Sequence, residues 1–313
     1  MRSEMLVPFS LLWFLWQRMR VYFAHPKMLP VPVVCIGNVT VGGAGKTPVA
    51  IATAQMLQAR GKKVAFLSRG YGGSLTGPVR VDASAHTANE VGDEPLLLAR
   101  IAPCYVGKNR LAAAECAIRD GAEILVADDG MQNYSFYKDL TVAVIDGTFG
   151  IGNGLVLPAG PLRDRVDKAL TRARAVVIIG RAELKVVEQI DKAKLPLFTA
   201  HTEPAAPDAL PDKEPPYVAF AGIGLPEKFF ATLEGLGYTL AHKAAYPDHF
   251  PYDARDTKEL CALAAKHGAK LITTEKDAVR LPEDFRAEVA VLPIRLCFAD
   301  AEDFRALLGH YLK

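Results

Sequence analysis

Between residues 31 and 180, short apolar runs alternate with stretches of helical character. The runs VPVVCIGN (31–38), KVAFLS (63–68), EILVAD (123–128), TVAVID (141–146) and AVVIIG (175–180) lack the polar alternation of a one-sided sheet. Continuous apolar strands of this kind are buried on both faces, as in a parallel sheet covered by helices. Helices are predicted over 46–60, 94–102 and 108–120. After residue 216 the pattern resumes with YVAFAGI (217–223), a helix from Pro226, AKLITTE (269–275) and VAVLPIRL (289–296). Between the two blocks lies PLFTAHTEPAAPDALPDKEPP (196–216), whose six prolines in 21 residues continue neither a helix nor a central strand. The predicted class is α/β. A mostly parallel sheet with helices on both faces occupies 26–195, a proline-rich connection 196–216, and a second, smaller α/β domain 217–313.

The remaining segment, 1–25, is different. MLVPFSLLWFLWQRMRVYF (5–23) contains both tryptophans, Trp13 and Trp16, with Arg18, Arg20 and Lys27 close behind. Its apolar stretch is shorter than the roughly 20 residues a span requires. It also lacks the basic start and small-residue cleavage site of a secretory signal. Aromatic rings beside cations suit a helix lying at a membrane surface. Packing on the protein's own core is the plainer alternative.

Composition narrows the partners. The 37 basic and 35 acidic residues leave a net charge of +2, with no basic run to grip a nucleic acid backbone. Five scattered cysteines without a CxxC point to a reducing compartment rather than a disulfide framework or zinc ribbon. No feature signals a protein partner.

The chemistry begins where the first strand ends. Residues 40–47 read TVGGAGKT and lead into the predicted helix. A strand, a glycine-rich turn, Gly-Lys-Thr and a helix in that order form a P-loop, expected to bind nucleotide through Thr40, Val41, Gly42, Gly43, Ala44, Gly45, Lys46 and Thr47. Lys46 is expected at the β- and γ-phosphates and Thr47 on Mg²⁺. The strict pattern has glycine where this chain has Thr40. A P-loop site also needs a carboxylate for the metal, and the run EILVADDG (123–130) ends its strand with Asp128 and Asp129. Two adjacent aspartates repel each other when buried, and a cation relieves this. Arg163, in LPAGPLRD (157–164), could place a bidentate guanidinium on the transferring phosphoryl group. Asp93 precedes Glu94-Pro95 at a predicted helix start and reads from its position as an N-cap.

Seven strings occur in order: GNVTVGGAGKTP (37–48), SRGYGG (68–73), GDEP (92–95), ADDGMQN (127–133), LPAGPLRD (157–164), PDHFPY (247–252) and TTEKDAVRL (273–281). Through them the chain resembles the tetraacyldisaccharide 4'-kinase family, from the N-terminal apolar helix almost to its end. The resemblance implies transfer of the ATP γ-phosphoryl to the 4'-hydroxyl of a tetraacylated glucosamine disaccharide 1-phosphate, giving lipid IVA. It implies work at the cytoplasmic face of the bacterial inner membrane, in a cleft between two domains. It implies a proton-accepting pair at Asp93 and His249, and a metal-binding carboxylate at Asp164. Asp164 stands where the family usually has glutamate, and Asn133 where it usually has histidine. The motif TTEKD (273–277) looks like a nucleotide-base contact, but Glu275 separates the lysine from Thr274, and nothing favours GTP. The competing class is a membrane-associated ATPase switch of the partition or metallochaperone kind, which also carries GGAGKT. Such a switch needs no acceptor, and neither LPAGPLRD nor PDHFPY.

Overall fold

The computed structural model describes residues 3–181, 184–205 and 207–312. Its strands are β1 (Val33–Asn38), β2 (Val64–Ser68), β3 (Val79–Arg80), β4 (Cys104–Val106), β5 (Ile124–Asp128), β6 (Leu140–Asp146), β7 (Ala175–Ile179), β8 (Leu197–Pro204), β9 (Tyr217–Ala221), β10 (Leu240–Ala245), β11 (Lys270–Thr274), β12 (Val289–Leu292) and β13 (Ile294–Phe298). Nine of them form one sheet in the order β13-β8-β7-β6-β1-β5-β2-β4-β3. It is parallel except at its two edges, where β3 and β13 run antiparallel to their neighbours. Four more form an all-parallel sheet, β10-β9-β11-β12.

The apolar runs behave as their composition requires. Every residue of β1, β2, β5 and β7 is buried. Alternate residues serve opposite faces. Val34, Ile36, Phe66 and Val126 meet the helices Lys46–Gln58, Asp93–Ala99 and Ala301–Tyr311. Val33, Leu67, Leu125 and Ala127 meet the helix Arg110–Arg119. Helices therefore lie on both faces, as parallel crossovers require. Truncating fully buried Phe66 to alanine would cost about 3–5 kcal/mol.

Two boundaries differ from expectation. Residues 197–204, expected within the connection, form β8 and pair with β7. The strand starts just after Pro196 and holds no proline until its last residue, Pro204, so no proline interrupts its ladder. The run 289–296, expected as one strand, breaks at Pro293, which offers no N–H to a ladder. Beyond the break, β13 pairs with β8 in the large sheet, and Phe304 and Leu308 of the helix Ala301–Tyr311 join that sheet's core. The chain thus leaves the large sheet after β8 and returns to it at β13, so residues 294–312 do not belong to the small sheet.

The N-terminal segment forms a helix, Val7–Tyr22. Trp13 packs against the core cluster that includes Val39, Met131 and Leu162, and Gln17 is buried, so part of the helix rests on the protein itself. Ser10 donates to the Val156 carbonyl at 2.7 Å, and the Trp13 indole N–H donates to the Arg163 carbonyl at 3.0 Å. Phe9, Leu11, Leu12, Leu15, Trp16 and Met19 are exposed. Among the described residues, no helix is long and apolar enough to cross a membrane.

Candidate active site

In open α/β sheets, ligands bind beyond the carboxyl ends of the strands, where neighbouring connections diverge. Here β1 lies between β5 and β6 and meets that condition. The β1–β5 register sets Ile36 beside Asp128, so the glycine-rich turn after β1 and the Asp-Asp pair after β5 emerge together.

The turn closes onto the helix Lys46–Gln58, with Gly45 as its N-cap at φ +77°. Left-handed φ strains any residue with a Cβ, and a Cβ here would lie 2.3 Å from Ile179 Cδ1. Gly45→Ala is expected to cost roughly 1–2 kcal/mol from backbone strain alone, read as a lower denaturation midpoint. Gly42 also has positive φ (+100°) and is exposed with Val41 and Gly43, while Ala44 is buried. Thr40, which replaces the usual glycine, is buried and forms a β-bridge to Leu162. Its φ is not positive, so that position does not demand glycine. Val41 N–H donates to the Pro161 carbonyl at 2.8 Å, and Arg163 N–H to the Val39 carbonyl at 2.9 Å. The phosphate loop is therefore stitched to the LPAGPLRD loop, which ties Arg163 into the site.

Thr47 Oγ1 donates to Asp128 Oδ2 at 2.9 Å. Asp128 is almost wholly buried, and its Oδ1 has no hydrogen-bond partner among the described residues. Burial pushes its pKa up, and the charge of Lys46 acts against this. An orphaned, buried carboxylate oxygen beside a threonine hydroxyl suits a hard divalent cation. Burial also opposes ionisation of Asp129, but the charges of Lys46 and Arg163 prevail and hold it below the ordinary carboxylate range. Arg163 Nη1 contacts both its carboxylate oxygens, at 2.9 and 3.1 Å, and Gln132 Oε1 at 3.3 Å. Asp129 has φ +53°, and its carbonyl accepts from buried Arg110 at 3.0 Å. Asp164 is placed differently. It is buried and paired with Arg172 at 2.7 Å. Asn133 turns inward on its own loop, accepting from the Ser135 amide and hydroxyl.

Asp93 and His249 meet across the gap between the two sheets. His249 Nδ1 lies 2.9 Å from Asp93 Oδ2. Gly92, at φ +91°, takes the helix cap, and Asp93 is the first helical residue, its Oδ1 accepting the Glu94 amide at 3.0 Å. The capping expectation is therefore corrected by one position, and the carboxylate keeps its second oxygen for the histidine. Burial opposes ionisation of Asp93, but hydrogen bonds from His249 and Glu94 and the charge of Lys276 hold its pKa well below the usual carboxylate range. Glu94 is pushed up to about 7 by burial, then by its hydrogen bond to Asp93 and that group's charge. The hydrogen bond to Asp93 raises the His249 pKa above 6.5.

His249 sits at φ +59°, a conformation that needs support. The support is a buried hub. Asp277, fully buried, accepts from Gly222 N–H at 2.8 Å, Tyr252 OH at 2.8 Å, Thr274 OH at 2.6 Å and Arg280 Nη2 at 2.9 Å. The same Nη2 donates to the Gly222 carbonyl at 3.0 Å, which also accepts His249 N–H at 3.1 Å. The centre of the hub, Asp277 with Thr274 and Arg280, comes from TTEKDAVRL, which the sequence suggested only as a base contact. Lys276 of the same string reaches His249 Nε2 at 3.2 Å. Tyr71, from SRGYGG, stands 6.0 Å from the His249 ring between centroids, and Arg69 is exposed.

These features have counterparts among known proteins. The family model described as Tetraacyldisaccharide-1-P 4'-kinase matches residues 2–313. The tetraacyldisaccharide 4'-kinase of Rhodospirillum rubrum is 46% identical over 313 residues, covering 99% of this chain and 94% of its own. That of Hyphomonas neptunium is 45% identical over 309 residues, covering 99% and 91%. The crystal structure of "apo" form LpxK from Aquifex aeolicus in complex with ATP superposes with a TM-score of 0.80 at 27% identity, covering 99% of both chains.

Proposed function

Since the chain belongs to the tetraacyldisaccharide 4'-kinase family, and is thus a phosphotransferase acting on an alcohol acceptor, we propose a division of labour in which the large sheet presents ATP and the small sheet completes the base. The reaction moves the ATP γ-phosphoryl to the 4'-hydroxyl of a tetraacylated disaccharide 1-phosphate in lipid A biosynthesis. The observation that carries the proposal is the 2.9 Å contact between Asp93 of the large sheet and His249 of the small one. In the Asp93–His249 pair, the imidazole is the more accessible member, 36% exposed against 4%. His249 therefore takes the hydroxyl proton at Nε2, while Asp93 orients the ring through Nδ1 and balances its charge. The acceptor oxygen bonds to the γ-phosphorus as the bond to the ADP oxygen breaks. Lys46 and the loop amides bear on the phosphates, and Arg163 neutralises charge on the transferring group.

Mg²⁺ would be held by Thr47 and Asp128, with Asp129 beside them, and would supply charge neutralisation at the phosphates. Asp164, paired with Arg172 through Oδ2, would join that set through a remaining lone pair. The ATPase-switch alternative is not favoured, and one experiment separates the two. MgATP consumption should require the lipid disaccharide, and the product should gain one phosphate by mass. Equal consumption without acceptor would contradict the kinase reading.

The exposed apolar side of the helix Val7–Tyr22 supports contact with the membrane that carries the acceptor, at the cytoplasmic face of the inner membrane. Arg20 lies over the Trp16 ring at 4.8 Å, a cation and an aromatic together at headgroup depth. Burying a leucine is worth about 1.5–3 kcal/mol, so Leu12→Glu with Leu15→Glu should lower liposome partition by at least ~100-fold. Unchanged partition would place this helix elsewhere than in lipid.

A further inference from the structure

Lys276 lies on the short helix Glu275–Ala278, on the small sheet's side of the gap. Its Nζ is 3.2 Å from His249 Nε2, 3.4 Å from Asp248, 3.6 Å from Glu94 and 3.9 Å from Asp93. One ammonium therefore faces three carboxyl groups and the imidazole nitrogen at which the hydroxyl proton is taken. An ammonium has three donors and no acceptor, so a contact of 3.2 Å requires a lone pair on Nε2. The ring's proton then resides on Nδ1, where Asp93 accepts it at 2.9 Å.

We propose that Lys276 is a positioning residue for the base: by donating to His249 Nε2 it selects the neutral, Nδ1-protonated imidazole and keeps its lone pair aimed at the gap until the acceptor hydroxyl takes that place. The inference rests on His249 as the proton acceptor. When the hydroxyl arrives, its proton passes to Nε2, its oxygen bonds to phosphorus, and the ammonium retires toward Asp248 and Glu94. Those carboxylates are already within 4 Å of it.

The groups around the ring divide into two camps. Asp93 and Asp248 favour the imidazolium, and Glu94 joins them only in its ionised form. Lys276 opposes it, as does Arg280, whose Nε is 3.8 Å from Asp93 Oδ2 and weakens that carboxylate's pull. Tyr71 flanks the ring edge without charge. Without Lys276 the carboxylates would hold the ring, up to a higher pH, as imidazolium, which cannot accept a proton. Removing the lysine charge therefore raises the pH at which the base becomes available.

The test pairs a spectroscopic and a kinetic readout on the full-length protein with ¹⁵N-labelled histidine. In the wild type, the His249 ¹⁵N shifts should show a protonated Nδ1 and a bare Nε2 on the alkaline side of its titration. In Lys276→Met the midpoint should move to higher pH, and the acid limb of the kcat profile should move with it. On the acid limb, well below both midpoints, kcat should fall about fivefold, the effect of one charge at about 4 Å in a water-like dielectric. Lys276→Arg keeps the charge and should hold the midpoint near the wild-type value. A midpoint and tautomer unchanged in Lys276→Met would overturn the proposal. A midpoint that moves while the kcat limb stays put would remove His249 as the base and leave the hold of Lys276 on the ring standing.

Discussion

Alanine at Lys46 is expected to lower kcat by about 100- to 1000-fold, the usual loss when one preorganised charge is removed from a developing transition state. Lys46 opens the helix that follows the phosphate loop, where backbone N–H groups and the helix dipole already favour an anion. Its charge also acts on both Asp128 and Asp129. Its loss leaves Asp128 harder to ionise, so the variant should need more Mg²⁺ as well as turn over slowly. The fold should survive, because the helix keeps its cap at Gly45 and its buried face of Val49, Ala50 and Leu57. The check is steady-state turnover at saturating ATP and acceptor, with the Mg²⁺ requirement measured alongside. Near-full activity would remove the phosphate loop from the chemistry.

Asparagine at Asp93 is expected to lower kcat by about 100- to 10,000-fold while changing the KM for ATP little. The substituted amide can still accept the Glu94 N–H through its side-chain oxygen, so helix and fold are preserved. What disappears is the negative charge that pulls on His249 Nδ1 at 2.9 Å. The pH profile follows from the same pair. Asp93 raises the His249 pKa above 6.5, so kcat should fall as pH drops through that raised value and the imidazole fills with protons. In Asp93→Asn the residual acid limb should lie at lower pH. A profile unmoved by the substitution would mean that His249 titrates independently of Asp93.

The large sheet was legible because its strands are buried on both faces and so read as unbroken apolar runs. Residues 31–38 and 123–128 differ from β1 and β5 by only a residue or two at their starts. The edges were not legible. β8 lies in a proline-rich segment, bounded by Pro196 and Pro204, and β13 follows Pro293 with half-exposed residues. Neither carries the signal of a central strand, and their pairing joins residues 200 and 298, a distance along the chain that no local pattern encodes. The phosphate loop and the Asp-Asp pair could be read because each is a contiguous string. The Asp93–His249 contact could not be found from spacing, since the two residues are 156 positions apart. It entered only through family resemblance. Lys276 and Arg280 went unnoticed in plain view: their string looked like a nucleotide contact, and their partners lie on other elements. Thr40 shows the converse. It departs from the motif, but its backbone needs no glycine, and its β-bridge to Leu162 anchors the loop that carries Arg163.

The central claim is that Asp93 and His249, brought from two sheets, act as one proton acceptor. The most direct test is a double-mutant cycle on kcat with Asp93→Asn, His249→Ala and the two combined, measured with the lipid acceptor in MgATP. Residues that act as a unit lose nearly everything at the first substitution, so the double variant should be scarcely slower than the worse single one. Losses that multiply, each substitution costing the same factor with or without the other, would show two independent residues and contradict the account.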